Sequence, residues 1–492
     1  MFADALADMI REQPQAPAMI SRKEVLTYAG LGQRLLAGGK SLEALDMGSN
    51  ARVGLGMRHG VDHLLLILCL LLRPATSVAI HGAWPDEMRH DLAAALGMDW
   101  FLHDRLSPGI RHGRSWLIQD GFFSQAAAGS PNDVEAERGA RVFFSSGSTG
   151  QPKPLLFDAG YLDTRIRQTI KVSKLGPASR MLCGDLNFAA WCIPALATLA
   201  VGGCLVFSHL NSSDIMRALV YYRVTHARFS PAFLSGLLDK AGRHPPHLRD
   251  MARLEVVGGS LSTDLRSRLG ESISDQVYLT YGMTEFGFVS IADPAQLKSC
   301  PRAVGRPLPD VEVQILNESG NPLGAGEVGE LRLRSAAMLT GYLDQAGPSE
   351  RHFKGGWYYP GDLGEFDENG LLLIRGRADT GNTRNRNPHD LYHIEQATAE
   401  FHGVLDAVAF VLKDGTGGKL TCVALRERDS SKGLMAYLRE QLGDKAPDMI
   451  ARLDGFPMTA NGKVDRAALR ALVQAQFLES SKSATPKKSE HP

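Results

Sequence analysis

The sequence predicts an α/β protein with a large N-terminal domain of layered α/β sheets, a β-rich subdomain and a small C-terminal α+β domain. Short apolar runs alternate with helical patterns up to about residue 300, which indicates βαβ units and largely parallel sheets. From residue 311 to about 373, short strands are separated by Gly, Asn and Pro. The 492 residues suggest two or three packed units.

The first elements follow from apolar patterning. Residues 51–80 predict a strand, a buried helix and a second strand. The most apolar run, residues 64–72, is much shorter than the roughly 20 residues that span a bilayer, so we expect a core helix. Residues 126–140 are small, polar and acidic and predict a surface loop before the strand at 141–144. The N-terminus lacks a secretory apolar segment, so we expect a cytoplasmic protein.

Overall composition excludes several classes. Apolar residues make up 44% and charged residues 22%, and the formal net charge is zero, so nothing indicates a nucleic-acid or anionic-membrane partner. The six cysteines contain no C-x-x-C pair and are expected to be buried thiols in a reducing compartment.

The composition of the second half of the chain indicates where the domain boundaries lie. The stretch 375–388 is rich in Gly, Asn and Arg and predicts an interdomain linker or mobile loop. We therefore expect an N-terminal domain at 1–378 and a C-terminal domain at 379–476. Residues 477–492 are expected to form a disordered tail.

The strongest local pattern is S-S-G-S-T-G-Q-P-K, residues 145–153, which follows the apolar strand. Glycines let backbone N–H groups converge on an anion, hydroxyls donate further hydrogen bonds, and Lys153 supplies positive charge. A Walker A loop would need Gly where Pro152 stands, and Thr149 does not fit a G-x-S-x-G elbow. The alternative is an ordinary Ser/Gly surface loop.

This loop resembles the phosphate-binding signature of the adenylate-forming (AMP-binding) superfamily of acyl- and aryl-CoA synthetases, peptide-synthetase adenylation domains and luciferases. Pro154 is a local departure, because the family usually has Gly there. Further segments are similar to family motifs in the same order: Leu26–Tyr28, Val257–Ser260, Tyr281–Glu285, Gly305–Pro307, Gly326–Leu331, Gly341–Tyr342, Gly356–Trp357, Gly361–Asp362, Gly376–Asp379, Pro457–Thr459 and Asn461–Arg466. Such an ordered series is very hard to obtain by chance.

The resemblance implies that ATP activates a carboxylic acid to an acyl-AMP with release of pyrophosphate. It further implies transfer to a pantetheine thiol, with an acyl or aryl carrier protein favoured over CoA, and the cofactors ATP and Mg²⁺. Three alternatives stay open: an acyl-CoA ligase for another acid, an acceptor that is not a thiol, and a non-catalytic nucleotide-binding homologue.

The resemblance also implies site residues. Lys463, from a mobile C-terminal domain, would bridge the carboxylate and the α-phosphate, Thr284 would contact that phosphate, and Glu285 would bind Mg²⁺. Asp379 would be the hinge. Asp362 would hold the ribose hydroxyls with help from Arg377, and Tyr281 could stack on adenine. The residues implied to bind ATP are Ser145, Ser146, Gly147, Ser148, Thr149, Gly150, Lys153, Gly258, Gly259, Ser260, Tyr281, Gly282, Met283, Asp362 and Arg377.

Each of these roles has a plain structural alternative. Lys463 could be a solvated lysine of an N-G-K turn, Glu285 a surface residue after a turn, and Asp362 a turn residue of P-G-D-L.

The acid pocket is implied by the segment around Asn187. Amino-acid-activating members usually have Asp at this position, whereas Asn followed by an aromatic resembles members that activate hydroxybenzoates. Asn187 could hydrogen-bond a ring hydroxyl, with Phe188 and Trp191 as flat apolar walls. The alternative is that Asn187 caps the following helix.

One segment departs from the family pattern. The usual I-K-x-x-G loop after the hinge is replaced at 382–386, and Leu391 and His393 stand where Pro and Glu are expected, so the thioester half-reaction is in doubt. His389 and His393 are spaced for one helix face, but no third ligand cluster accompanies them, so we expect no metal site there.

Overall fold

The computed structural model describes residues 2–104, 110, 112–124, 139–146, 152–240, 247–378, 388–414, 418–427, 431–458 and 464–483. It confirms the predicted α/β class. The elements of the first part are α1 (Phe2–Glu12), β1 (Pro17–Ile20), β2 (Val25–Thr27), α2 (Tyr28–Glu43), β3 (Arg52–Gly56), α3 (Val61–Leu71), β4 (Thr76–Ala79), α4 (Asp86–Ala95), β5 (Trp100–His103), β6 (Arg114–Leu117), β7 (Ala140–Ser146), β8 (Pro152–Phe157), α5 (Ala159–Ser173), β9 (Arg180–Leu182), α6 (Ala189–Ala200), β10 (Cys204–Val206), α7 (Ser212–Tyr221), β11 (His226–Phe229), α8 (Pro231–Lys240), β12 (Arg253–Val257), α9 (Thr263–Ser272), β13 (Val277–Met283), β14 (Gly287–Ala292), α10 (Pro294–Ser299) and β15 (Ala303–Pro307).

The later elements are mostly short strands followed by a helix-rich end. They are β16 (Glu312–Leu316), β17 (Gly329–Arg334), α11 (Ala346–His352), β18 (Phe353–Lys354), β19 (Trp357–Tyr358), β20 (Asp362–Phe366), β21 (Leu372–Arg377), α12 (Pro388–Glu400), β22 (Val404–Lys413), β23 (Lys419–Glu427), α13 (Leu434–Leu442), a 3₁₀ turn (Gly443–Lys445), β24 (Met449–Arg452) and α14 (Arg466–Ser483).

Two large sheets carry the first part of the chain. Within the described residues one sheet has six strands in the order β6-β5-β3-β4-β7-β8. The other follows the path β18-β19-β17-β20-β21-β15-β14-β13-β12-β11-β9-β10-β1-β2, with β16 paired to β17. The strand–helix–strand unit predicted at 51–80 is present as β3, α3 and β4, and the residues of the apolar run in α3 are buried.

The central strands of both sheets are parallel. In the smaller sheet β3 pairs in parallel with β4 and β5, and β4 with β7. In the larger sheet the same holds for β9 with β10, β11 with β12, and β12 with β13. Because the carboxyl ends of parallel strands lie at one edge, the segments that follow them line a shared crevice, where α/β proteins bind ligands.

The C-terminal segment has its own core. Strands β22, β23 and β24 form a three-stranded sheet, and helices α12 and α13 cover one of its faces through buried Ile394 and Leu438, while α14 packs on other strand residues through Leu469 and Val473. This is the α+β arrangement that the sequence predicts.

Two expectations are corrected at the end of the chain. Residues 375–377, placed in the linker, are the last residues of β21, where Arg377 pairs with Asp362 of β20. Helix α14 continues to Ser483, so the expected disorder does not hold for residues 477–483. Leu469 and Val473 pack α14 on the strands of the C-terminal sheet, and half-buried Phe477 continues their four-residue spacing past residue 476.

Two further observations concern the cysteines and the possibility of a membrane-spanning helix. Five cysteines are buried and Cys300 is half-buried, all of them as free thiols. In the part of the chain that the structure describes, no helix has both the length and the apolarity needed to cross a membrane.

Candidate active site

The phosphate loop joins the antiparallel strands β7 and β8. Ser145 lies opposite Lys153 and Ser146 opposite Pro152, and buried Phe143 anchors the strand. Gly147, Ser148, Thr149 and Gly150 lie outside the described residues, so their role stays a prediction. Pro154, where the sequence departs from the motif, lies opposite Phe144, and its carbonyl oxygen accepts a hydrogen bond from the N–H of Leu343 at 2.8 Å.

Lys153 and Glu285 meet around one tyrosine. The Nζ of Lys153 lies 4.9 Å from the ring centroid of Tyr342, a cation–π distance. The hydroxyl of Tyr342 donates a hydrogen bond to Oε1 of Glu285 at 3.0 Å. Glu285 is only 7% exposed, so it is a buried carboxylate rather than the surface residue of the alternative interpretation. The pair is an ammonium and a carboxylate held at the phosphate hairpin.

The carboxylate of Glu285 fits a Mg²⁺ site to which the protein contributes few ligands. Among the described residues, no group of three or more His, Cys, Asp or Glu side chains could hold a metal ion. Mg²⁺ commonly uses one or two carboxylates and takes its other ligands from water and substrate phosphates. Glu285 beside the phosphate hairpin matches that donor set.

A second cluster lies around Asp362, at the start of β20. Its carboxylate, 8% exposed, accepts hydrogen bonds from the hydroxyl of Tyr281 and from Nη1 of Arg377, the latter at 3.0 Å. Burial and the neighbouring Asp362 raise the pKa of Tyr281 well above its usual value. A carboxylate can accept hydrogen bonds through both of its oxygens, which is the property that the predicted ribose role requires of Asp362. The stacking of Tyr281 on adenine stays a prediction.

Two of the glycines in the ATP-site motifs, Gly258 and Gly282, are required by the backbone geometry. Gly258, which follows β12, has φ +79°, a left-handed conformation that favours glycine. A Cβ on Gly282 would lie 2.3 Å from the carbonyl oxygen of Gly287, so the strand pair requires glycine. Gly259 and Ser260 follow in the same turn after β12, and Met283 ends β13.

Thr284 is held through its backbone. Its carbonyl oxygen accepts a hydrogen bond from Nη1 of Arg165 at 3.1 Å, and the same nitrogen donates to the hydroxyl of Tyr161 at 2.9 Å. Helix α5 therefore fixes the segment that leads to Glu285. The sequence motifs give no signal for Arg165.

Asn187 is held by Asp185 and has a buried acceptor without a partner in the described part of the chain. Its N–H and its Nδ2 both donate to Oδ1 of Asp185, at 3.0 and 2.9 Å. Its own Oδ1 is buried and has no hydrogen-bond partner among the described residues. The N-cap of α6 is Phe188, without a side-chain cap bond, so the helix-capping alternative for Asn187 is wrong.

Asp185 joins the two sheets. Its Oδ2 lies 3.0 Å from Nε2 of His81, which follows β4 of the smaller sheet. Nδ1 of His81 accepts from the N–H of Ala83 at 3.1 Å, so Nε2 carries the proton and donates to Asp185. Burial alone would raise the pKa of Asp185, but the hydrogen bonds from His81 and Asn187 outweigh it and hold the pKa at about 2. Asp185 is therefore an ionised carboxylate that accepts three hydrogen bonds from His81 and Asn187.

Aromatic rings connect this acid side to the phosphate hairpin. Phe188 lies 5.2 Å from the ring of His81 and 6.0 Å from Trp191, and Trp84 lies 5.1 Å from Phe144 of β7. Trp191 packs on Gly184, where an added Cβ would lie 1.9 Å from the indole. The predicted walls Phe188 and Trp191 are thus adjacent to Asn187.

The C-terminal motif is partly described. Lys463, Asp379 and the altered loop at 382–386 lie outside the described residues. Just beyond Lys463, Arg466 donates two hydrogen bonds of 2.7 Å to the carboxylate of Glu395 in α12. Oε1 of Glu395 also accepts from the N–H of Ala409 in β22 at 2.9 Å. The arginine of the G-K-x-x-R pattern therefore ties the start of α14 to the rest of the small domain.

Comparison with known proteins places the chain in a family. The profile of the family described as AMP-binding enzyme matches residues 6–343, more than half of the chain. The phosphinothricin tripeptide synthetase PhsC of Streptomyces viridochromogenes is 28% identical over 94% of this chain. The match spans 44% of that protein, so this chain corresponds to less than half of its relative's length.

Solved structures agree in fold. The amide bond synthetase McbA from Marinactinospora thermotolerans has a TM-score of 0.83 at 22% identity, covering 96% of this chain and 99% of that one. The O-succinylbenzoate coenzyme A synthetase MenE from Bacillus subtilis, solved with ATP and magnesium ion, has a TM-score of 0.82 at 20% identity, covering 94% and 98%. The chain belongs to the family of AMP-binding enzymes, ligases that form acyl-AMP.

Proposed function

We propose that this chain activates a carboxylic acid with ATP. A carboxylate oxygen attacks the α-phosphorus, the bond from that phosphorus to the oxygen bridging the β-phosphate breaks, and pyrophosphate leaves with the electron pair. The observation that carries the proposal is the pairing of Lys153 and Glu285 around Tyr342 at the phosphate hairpin. The cluster of Tyr281, Asp362 and Arg377 beside it supplies donors and acceptors for the nucleotide.

Each residue has a defined task in this reaction. Glu285 would hold Mg²⁺, which when bound neutralises phosphate charge as a Lewis acid. Lys153 adds positive charge for the departing pyrophosphate, and Lys463 would neutralise the carboxylate and α-phosphate as they approach. Arg165 keeps Thr284 in place, so that its side chain can contact the α-phosphate. Asp362 would orient the ribose.

The acid should carry a hydrogen-bond donor that Asn187 can bind. One N–H of the Asn187 amide donates to Asp185, and the amide carbonyl oxygen is buried and unpaired among the described residues, so this oxygen is the group that a bound acid would satisfy. Asp185 already accepts three hydrogen bonds from His81 and Asn187, which disfavours it as the partner of an α-ammonium group. A hydroxylated aryl acid lying against Phe188 and Trp191 meets both requirements.

The acyl group then passes to an acceptor, for which we favour a pantetheine thiol on a carrier protein. Similarity to a tripeptide synthetase supports a carrier, whereas similarity in fold to a coenzyme A synthetase supports CoA. The amide bond synthetase among the structural relatives adds an amine as a second candidate acceptor. Mass spectrometry of the acyl product formed with CoA, a holo carrier protein or an amine distinguishes these three.

The activation step is tested by acid-dependent exchange of labelled pyrophosphate into ATP. We expect exchange with hydroxybenzoates, loss of it in Lys463→Ala, and retention in Lys432→Ala, an exposed lysine of the same domain. A protein that binds ATP but shows no exchange with hydroxybenzoates, benzoates, fatty acids or amino acids would contradict the proposal.

The acid assignment has its own test. Asn187→Leu should lower kcat/KM roughly fivefold for hydroxybenzoates, the equivalent of about 1 kcal/mol for one hydrogen bond, and leave benzoate unchanged. Exchange with amino acids but with no aryl acid would refute the assignment while leaving the activation step intact.

A further inference from the structure

His352 is the last residue of α11 and lies beside the phosphate hairpin. Its Nδ1 is 2.9 Å from the carbonyl oxygen of Tyr359, and only a protonated nitrogen can bond to a carbonyl. In the neutral ring Nε2 therefore carries the lone pair. That nitrogen lies 3.5 Å from Nζ of Lys153. The imidazole is oriented to accept a hydrogen bond from the ammonium.

Two tyrosines fix the plane of this ring. Tyr358 stacks on His352 with 6.2 Å between centroids, and Tyr342 meets it edge-on at 6.1 Å. Lys153 in turn lies over the ring of Tyr342, whose hydroxyl is bonded to Glu285. His352, Lys153, Tyr342 and Glu285 thus form one continuous set of contacts, which the sequence motifs assign only in part.

The surroundings keep the imidazole neutral. Burial lowers the pKa of His352, and the nearby cations Lys153 and Arg351 lower it further, whereas the bond to Tyr359 and the charge of Glu285 act in the opposite direction. The groups that face it from the packed elements are Lys153 on β8, Glu285 after β13, Arg351 on α11, Tyr342, Tyr358 on β19 and Tyr359.

We propose that His352 is a positioning residue of the ATP site: its Nε2 accepts a hydrogen bond from Lys153 and holds that ammonium over the ring of Tyr342, whose hydroxyl is bonded to Glu285, where the terminal phosphates of ATP bind. The inference rests on the proposed function for the identity of the nucleotide. It implies that His352 governs affinity for ATP, which has β- and γ-phosphates, and does not govern affinity for AMP, which lacks them.

Two substitutions of His352 distinguish the roles of its two ring nitrogens. Asn in place of His352 retains a donor near Nδ1 for Tyr359 and lacks the acceptor at Nε2. Gln places an amide oxygen where Nε2 stands, so it restores the acceptor toward Lys153. The exposed His402, replaced by Asn, is the matched control.

Calorimetric titration of the full chain with MgATP and separately with AMP, without acid, is the test. We expect His352→Asn to weaken MgATP about tenfold and to change AMP less than twofold, and His352→Gln and His402→Asn to stay within threefold of wild type. In a Lys153→Gln background, His352→Asn should add less than a twofold effect.

Three results would overturn the inference. They are equal weakening of ATP and AMP by His352→Asn, no weakening of either, and a His352→Gln variant that is as weak as His352→Asn. Because no acid is present, these outcomes are independent of pyrophosphate exchange. Exchange that fails in wild type while ATP affinity depends on His352 would reject the proposed function and leave the positioning role standing.

Discussion

Replacement of Asp185 by Ala is the most informative perturbation of the acid side. Its carboxylate accepts one hydrogen bond from Nε2 of His81 and two from Asn187, at 3.0, 3.0 and 2.9 Å. Removing it leaves these donors without their acceptor in a buried place. It also frees the Asn187 amide to rotate, so the acceptor that we assign to the acid would no longer be held in one orientation.

The magnitude follows from these contacts. An unsatisfied buried donor costs roughly 1–3 kcal/mol, and the side chains of His81 and Asp185 are only 13% and 23% exposed. With partial rehydration of the space left by the carboxylate, we expect Asp185→Ala to destabilise the protein by about 3 kcal/mol. We expect Asp185→Asn to cost about half as much, because one acceptor oxygen remains but an amide N–H then faces the N–H of His81.

Differential scanning calorimetry at pH 7 measures the effect, and the exposed pair His247 and Asp275 supplies a matched control. That pair is 3.9 Å apart with side chains 44% and 78% exposed, so Asp275→Ala should change stability by less than about 0.5 kcal/mol. In pyrophosphate exchange, Asp185→Asn should reduce the preference for hydroxybenzoates over benzoate. Equal stabilities of Asp185→Ala and Asp275→Ala, with the preference unchanged, would refute the reasoning.

Three further predictions concern the metal, the small domain and pH. Glu285→Gln retains an acceptor for Tyr342 but loses the negative charge that would bind Mg²⁺. The Mg²⁺ concentration needed for half-maximal pyrophosphate exchange should therefore rise roughly tenfold, whereas the affinity for AMP, measured by calorimetry, should stay unchanged. Arg466→Ala breaks two hydrogen bonds to Glu395, so the free energy of unfolding of the C-terminal segment, measured by thermal denaturation, should fall by about 1 kcal/mol. Arg470→Ala, which replaces an exposed arginine of the same helix, should not lower it. Burial in α3 lowers the pKa of His63 to about 3, and its ring nitrogens are unpaired among the described residues. The unfolded chain takes up a proton on this histidine below about pH 6.5 and the folded chain does not, so stability present at pH 7 falls as the pH decreases from 6.5 toward 3. His63→Leu should flatten this fall by up to about 1.4 kcal/mol per pH unit in denaturant titrations, and an unchanged slope would contradict the assignment.

Much of the fold could be predicted because its signals are local. The apolar run of α3, the alternation of strands and helices, and the change to short strands after residue 311 each reflect side-chain periodicity or turn chemistry. The end of the chain was harder, because α14 extends past residue 476 through packing of Leu469 and Val473 on the small domain's sheet, a tertiary effect.

The candidate site shows the same division. Glu285, Asp362 and Lys153 lie in contiguous motifs. In the structure Glu285 is bonded to a tyrosine hydroxyl, Asp362 to an arginine, and Lys153 lies over an aromatic ring. His81 and His352 have no such motif. His81 meets Asp185 only because β4 and β9 belong to different sheets whose carboxyl edges face each other, and this pairing depends on three-dimensional contacts that one sequence does not reveal.

The central claim is that a carboxylate oxygen attacks the α-phosphorus of ATP. The most direct test uses an accepted acid labelled with ¹⁸O in both carboxylate oxygens, incubated with ATP, Mg²⁺ and a thiol or amine acceptor. The proposed chemistry predicts that one ¹⁸O appears in AMP, because the oxygen bridging the acyl group and phosphorus leaves with AMP when the acyl group is transferred. Label in inorganic phosphate accompanied by ADP, or AMP that contains no label, would contradict it.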